Sequence, residues 1–333
     1  MPSSLPKYDV SIIIVSFNTR DILRSCLKSV MRATAAHRGQ CETIVVDNAS
    51  RDNSAQMVVR EFPAVRLLRS KVNLGFAAAN NLALGMVRGR YVLLLNPDAE
   101  LSPETISEAV AAMDAAPQVA VMGGLLLDEV GRSQPSARKF PSLLNELLTI
   151  SGLAARFPRS RLFGRFDRSW ADAQQEADID WAPGAFNIIR RGAITHLGGF
   201  DERFFLYYEE VDLCRRIRAA GWRIRYQPQL RVRHIGGAST RAHNDMEISS
   251  SGAQLVLWRM RSALLYYRKH HGALSAWALA RLEIIWHSLR LFKSRLGGAA
   301  AHAKAAESRR LIGLMRQAWR ETRGGSISPA RPW

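Results

Sequence analysis

The stretch Tyr91-Val92-Leu93-Leu94-Leu95-Asn96-Pro97-Asp98-Ala99 decides how the chain is read. Five aromatic or aliphatic residues in succession match a strand buried on both faces, as in a parallel sheet covered by helices. The run stops at Asn-Pro-Asp, where proline has no amide hydrogen to give to a sheet ladder. Asp98 is thereby expected just past the carboxyl end of a central strand, where open α/β sheets hold their ligands. The same three residues also make an ordinary turn, so the neighbouring segments must decide.

On both sides of this run, strands alternate with helices. Val10 to Ser16, Thr43 to Val46, Val65 to Leu68 and residues 119–127 read as further strands. Helical spacing fills 19–35, 52–61, 75–88 and 102–115 between them. That alternation predicts an α/β domain with a mostly parallel sheet and right-handed crossovers. Asn18, Asp47, Asn48 and Asp98 all follow strand ends, as a single crevice at the carboxyl edge requires. Residues 128–180 lack a clear period beyond a hairpin turn at 128–132 and read as a loop-rich cover. Order returns with a strand at 186–189, a helix from about 209 and strand segments at 224–226 and 230–232. From 250 onward the pattern is helical, with helices expected near 255–266, 276–296 and 303–322.

At 333 residues, 47% hydrophobic and 23% charged, the chain is a folded protein with room for one large domain or two. Cys26, Cys41 and Cys214 are scattered, which argues against a disulfide framework or zinc site and for a reducing compartment. The net charge of +18 is uneven: residues 251–333 hold 15 Lys and Arg but only Glu283, Glu307 and Glu321 as acids. We therefore divide the chain into a domain at 1–250 and a basic, amphipathic helical extension at 251–333. Such a tail suits a polyanion, either nucleic acid or an anionic membrane surface. Trp277, Trp286 and Phe292 beside Arg281, Arg290, Lys293 and Arg295 suit a helix lying among lipid headgroups; packing back on the first domain is the alternative. No signal peptide opens the chain and no run of 18 residues is free of charge, so a cytoplasmic protein, peripheral on the inner face of the plasma membrane, is expected.

Three sites carry acid or imidazole chemistry: Asp98, the acidic knot of Glu209, Glu210 and Asp212, and His234 before two glycines. With a pyrophosphate, a carboxylate and an imidazole make an oxygen-rich set for Mg²⁺ or Mn²⁺. Such an ion would neutralise charge on a nucleoside diphosphate leaving group. Each site has a plainer reading. Acids are favoured in a helix's first turn, a lone histidine is often structural, and Asp47 could cap the helix after it.

Seven segments in order, VSIIIVSFN, IVVDNASRDNS, NLGFAAANN, GRYVLLLNPDA, GAFNIIRR, GGFDERFFLYYEEVDLCRRIRAAGWRI and VRHIGGAS, resemble the inverting family 2 glycosyltransferases of the GT-A fold, within them the rhamnosyltransferase-like enzymes. The resemblance runs from about residue 10 to 240. It implies that Asp47 holds the nucleotide base, with Ser16 and Asn18 in the same pocket. Asn73, Gly75, Phe76 and Asn80 are implied to pack on the nucleotide sugar. Asn96 and Asp98 occupy the family's DxD motif, with Asp98 and His234 the metal ligands. Glu210 falls where the family has its general base, although one methylene longer, which leaves Glu209 as the other candidate. Trp181, Gly184 and Ala185 are expected on the acceptor side, with Trp181 stacking on a sugar ring. The function so implied is metal-dependent transfer of a sugar, L-rhamnose from dTDP-rhamnose, to a lipid-linked or polysaccharide acceptor in cell-envelope glycan synthesis; a UDP-hexose donor is the alternative.

Two other classes fit less well. A nucleic-acid-binding protein would use the basic tail but has no recognised binding motif and leaves Asp98, Glu210 and His234 idle. A dinucleotide-dependent enzyme would need GxGxxG after the first strand, and the chain instead continues Ser-Phe-Asn.

Overall fold

Four parallel strands form one half of a nine-stranded sheet: β1 (Tyr8–Ser16), β2 (Cys41–Asp47), β3 (Arg66–Arg69) and β4 (Gly89–Leu95). The computed structural model describes residues 7–235, 253–294 and 299–329. Helices α1 (Arg20–Ala36), α2 (Ser54–Glu61) and α3 (Phe76–Leu84) connect the four strands. Then follow β5 (Ala99–Leu101), α4 (Thr105–Asp114), β6 (Val119–Leu127), α5 (Leu143–Ile150), α6 (Leu153–Arg156) and β7 (Ala177–Asp178). The remainder is β8 (Phe186–Arg190), α7 (Arg191–His196), α8 (Glu209–Ala219), β9 (Arg223–His234), α9 (Ala253–Ser294) and α10 (Ala299–Glu321).

The sheet order is β3-β2-β1-β4-β8-β6-β9-β5, with β7 also on β9. β8 lies antiparallel between β4 and β6, and β5 and β7 run antiparallel to β9. The expected mostly parallel α/β domain is therefore present. Because side chains alternate across a strand, each central strand feeds two cores. Ile13, Ile44, Val46, Val92 and Leu94 pack on one face with α3 and α8. Ile12, Ile14, Val45, Leu93 and Leu95 pack on the other with α1 and α4. This two-sided burial explains why the strand at Tyr91 reads as an unbroken apolar run.

Two features were not expected from the sequence. α5 interrupts the segment read as loop; Ser142 caps it by accepting from the Asn145 amide. β5 is a three-residue strand directly after Asn96-Pro97-Asp98, and it pairs Ala99 with His234. Only three residues separate β4 from β5, a reach of at most about 14 Å. The end of β9 must therefore curl over the end of β4. It does so at a bulge, where the partner of Gly124 is Gln227 and that of Leu125 is Arg231. This bulge separates the two strand segments read from sequence.

Across the charge boundary at residue 250, packing is continuous. α9 is two helices joined at Gly272, whose φ of 84° no helix accommodates. Leu257, Met260, Leu264, Tyr266 and Tyr267 of its first half belong to the same buried cluster as Val211 and Cys214 of α8. Asp212, fully buried, ties the two helices: His270 Nε2 lies 2.7 Å and Lys269 Nζ 2.5 Å from its Oδ1. Burial works against that charge, yet hydrogen bonds from His270 and Lys269 hold the carboxyl below its ordinary range. Asp212 is thus a structural member of the acidic knot. Gly236, Gly237, Arg295 and Leu296, named in the sequence reading, lie outside the described residues.

Candidate active site

The carboxyl ends of the strands open into a cavity of about 430 Å³. Asn73, Gly75, Phe76, Asn96, Asp98, Gly184, Ala185, Glu209, Glu210 and His234 line it, all from the sequence-derived set. Gly75 is required twice over. Its φ is +81°, and a Cβ there would stand 2.4 Å from the Phe205 carbonyl oxygen. That carbonyl accepts from the Phe76 amide at 2.8 Å, which fixes the start of α3 against the loop before α8. Asn48 holds the same loop: its Nδ2 donates to Asn73 Oδ1 at 2.9 Å, and its Oδ1 accepts from the Leu74 amide.

Five expected residues do not line this cavity. Ser16 is fully buried, its Oγ 2.9 Å from Thr19 Oγ1. Asn18 Oδ1 accepts from the Arg51 amide and so braces the loop after β2. Strand alternation instead turns their apolar neighbours Val15 and Phe17 inward. Asn80 is buried and donates back to the Phe76 carbonyl. Asp47 is buried at the end of β2, with its neighbour Asn48 on the cavity wall; its Oδ1 has no hydrogen-bond partner. Burial raises the Asp47 carboxyl, against hydrogen bonds from Ser50. Trp181 is 6% exposed, donates Nε1–H to the Lys139 carbonyl, and carries the Arg138 guanidinium 5.1 Å from its ring centre. It is part of a packed wall, not a face open to stack on a sugar.

At one end of the cavity Asp98 meets His234. The β5–β9 register places them together, and the Ile235 amide donates to the Asp98 carbonyl. His234 Nε2 stands 3.5 Å from Asp98 Oδ1, which is buried and accepts no hydrogen bond. An orphaned carboxylate oxygen beside an imidazole nitrogen is a pair of donors suited to a divalent cation. Among the described residues no group of three or more His, Cys, Asp and Glu is placed to hold one. Further ligands would have to come from substrate.

Glu209 and Glu210, in the first turn of α8, line the same cavity. Tyr207 and Tyr208 enter that helix with φ of 68° and 67°, a left-handed conformation costing side-chain-bearing residues about 1–2 kcal/mol each. α9 holds them there. The Trp258 ring lies 4.4 Å from that of Phe205, Ser262 Oγ donates to the Leu206 carbonyl, and the Tyr266 ring stacks 5.4 Å from Tyr208. Gln254, Leu255 and Trp258 also line the cavity. No local pattern marked these three as site residues, since only the chain's return brings them there. Burial raises both glutamates above the ordinary carboxylate range. The nearby Glu210 charge further opposes ionisation of Glu209.

Glu210 and His234 also line a second cavity, of about 510 Å³, walled by Arg138, Glu146, Trp181, Tyr208 and the exposed Arg259. Glu146 Oε1 lies 3.4 Å from the Tyr208 hydroxyl and 3.5 Å from that of Tyr267. Burial, reinforced by Glu283, pushes its carboxyl up to about 7.

Comparison with known proteins agrees with this geometry. The model of glycosyl transferase family 2 matches residues 11–169. The N-acetylglucosaminyl-diphospho-decaprenol L-rhamnosyltransferase of Mycobacterium tuberculosis is 31% identical over 240 residues, 69% of this chain and 76% of the relative. The rhamnosyltransferase WbbL of Escherichia coli is 25% identical over 288 residues, 84% of this chain and 99% of the relative. In fold, the chain resembles the Pyrobaculum calidifontis mannosyltransferase PcManGT solved with GDP-Man and Mn²⁺; the TM-score is 0.53 at 18% identity, over 95% of this chain and 86% of that one. A mixed sheet of GT-A type, with Asp98 and a glutamate pair lining one cavity at its carboxyl edge, carries the same reading as the relatives: the chain belongs to glycosyl transferase family 2 and is a glycosyltransferase of the rhamnosyltransferase-like group.

Proposed function

We propose that the enzyme transfers L-rhamnose from dTDP-rhamnose, with inversion, to a lipid-linked or polysaccharide acceptor of the cell envelope. The observation that carries this reading is the position of Glu210, which lines both cavities at their junction. The donor occupies the first cavity and the acceptor hydroxyl arrives from the second. Glu210, in its ionised form, takes the hydroxyl proton as the oxygen attacks the anomeric carbon. Inversion needs a single displacement, so no covalent nucleophile is required.

Asp98 and His234 would hold Mg²⁺ or Mn²⁺, which when bound neutralises charge on the leaving diphosphate. Asp47 Oδ1, buried and unpartnered, is retained as the acceptor for a base N–H. Gly75 and Phe76 pack beside the sugar nucleotide. Gly184, whose added Cβ would meet only the Phe76 ring at 3.8 Å, leaves the cavity wall open to substrate. Arg138 and Arg259 suit an anionic group on the acceptor. The name of the tuberculosis relative, with its diphospho-decaprenol, supports a lipid diphosphate there.

Membrane contact belongs to the same proposal. Leu274, Ile285, Leu289 and Phe292 are each more than half exposed, and with Trp277 they form one stripe on the second half of α9. Arg281 lies within the stripe and Lys293 at its end, while Ala276, Leu279, Ala280 and Glu283 are buried on the opposite face. Among the described residues no helix is long and apolar enough to cross a membrane. The stripe fits a surface-lying helix on anionic lipid.

The deciding experiment is a panel of nucleotide sugars with Mn²⁺ or Mg²⁺, scored by thermal shift and by turnover. dTDP-rhamnose is expected to stabilise and react best. A response no greater than to UDP-glucose or UDP-galactose overturns the rhamnosyl assignment and leaves the family intact.

A further inference from the structure

Gln134 follows the hairpin turn at 128–132 and reaches His234 with both ends of its amide. Its Nε2 lies 2.9 Å from the His234 carbonyl oxygen, and its Oε1 lies 2.7 Å from the His234 ring Nδ1. The backbone carbonyl can only accept, so the amide nitrogen must face it and the amide oxygen must face the ring. An amide oxygen also only accepts. Nδ1 of His234 must then carry the proton, which leaves Nε2 of the neutral ring with a bare lone pair. That nitrogen is the one 3.5 Å from Asp98 Oδ1, itself without a hydrogen bond.

Two acceptors facing each other are an unstable arrangement unless something holds them so. A free imidazole beside a carboxylate would take the other tautomer and donate Nε2–H to it, a charge-assisted bond that uses up both lone pairs. Gln134 is itself held. Its amide donates to the Leu126 carbonyl at 2.8 Å, and Ser136 Oγ donates to the Gln134 carbonyl while accepting from the Leu126 amide. We infer that Gln134 is a positioning residue: it locks His234 in the Nδ1–H tautomer and thereby keeps the Asp98–His234 gap open for a cation. This rests on the proposed reading of that pair as metal ligands, and the tautomer itself can be read without any metal.

The test has two arms. In metal-free protein at pH 8 with ¹⁵N-labelled histidine, the ring of His234, assigned by loss of its signals in His234→Asn, is expected as Nδ1–H. In Gln134→Leu it is expected to change to Nε2–H. Gln134→Met, of similar length and without the acceptor, repeats the measurement should Leu disturb the hairpin. In the second arm, Mn²⁺ is titrated by electron paramagnetic resonance in the presence of dTDP. Loss of an outer partner of a metal-bound histidine typically weakens metal binding, and the variants are expected to bind 10- to 100-fold more weakly. An Nε2–H ring in wild type, or variants with unchanged Mn²⁺ affinity, overturns the role of Gln134. Wild type that holds Nδ1–H but binds no Mn²⁺ overturns the cation reading itself, and the role with it.

Discussion

Asp98 and His234 reach the cavity from the ends of two strands, whereas Glu209 and Glu210 reach it from a helix entered through two left-handed tyrosines. The first end is held by sheet register and one amide. It would keep its geometry if every helix beyond residue 250 were ignored. The second end stores backbone strain, and it is α9 that holds it in place through Trp258, Ser262 and Tyr266. The contrast teaches where each function is vulnerable. Cation binding should fail only through its own ligands and their partners, while base catalysis should also fail from a distance. Strain at a functional site persists only where surrounding packing over-determines it.

The sharpest test of this contrast lies within the glutamate pair. Glu210→Gln is expected to lower kcat about 100- to 10,000-fold, the usual worth of a positioned base, with donor affinity unchanged. Glu209→Gln should cost far less, since Glu210 lines both cavities and Glu209 only the first. Equal losses in both would remove Glu210 as the distinct base. Because burial raises the Glu210 carboxyl, wild-type turnover should fall as pH drops through a value above the ordinary 4.5, the base being active only when ionised.

Trp258→Ala should cost about 3–5 kcal/mol of stability, as for a buried aromatic, and should lower kcat even in molecules that remain folded. Chemical denaturation and steady-state kinetics measure the two. A variant that loses stability with unchanged kcat would separate α9 from the base.

Glu146 makes the same end of the cavity sensitive to pH. Its folded value of about 7 exceeds the ordinary 4.5, so the folded state binds the extra proton between those values. Stability from this group is present at low pH and lost as pH rises from about 4.5 to about 7, by no more than ~3 kcal/mol. Glu146→Gln should therefore be more stable than wild type at pH 8 and equal to it near pH 4, in thermal melts. Arg259, Tyr208 and Tyr267 face the same carboxyl and damp the effect, whereas Glu283 adds to it. A pH-independent difference would remove Glu146 as its source.

On the donor side, Gly75→Ala should cost about 1–2 kcal/mol for the left-handed φ alone, and weaken dTDP binding by displacing Phe205. The smallest expected effect on stability belongs to the second half of α9. Ser in place of Leu274, Ile285 and Phe292 together should change stability by within about 0.5 kcal/mol per site yet reduce flotation with anionic liposomes. Undiminished flotation would end the membrane reading.

Most of the strands, and ten residues that line the cavity, were legible from sequence, because buried parallel strands advertise themselves as apolar runs and polar residues collect at their carboxyl ends. The departures have one origin each. Ser16 and Asn18 were implied by the resemblance, but Val15 and Phe17 line the cavity. Trp181 walls the second cavity, as a residue expected on the acceptor side would, but nothing local reveals that Arg138 and the Lys139 carbonyl already engage its ring. The break at residue 250 followed charge, while packing ignores it.

What the amino-acid order alone determined is the chemistry at Asn96-Pro97-Asp98: proline stops the ladder and a carboxylate is left at a strand's end. What only the tertiary structure decided is its company. Three residues of β5 pair with β9 and bring His234 to Asp98, and with it Gln134, which stands 100 residues earlier in the chain. The two halves of α9 have a similar mixture of aromatic and basic residues. The first is buried beside Glu209 and Glu210; the second buries Ala276, Leu279 and Ala280 and leaves its apolar stripe open, because only the first meets the loop before α8.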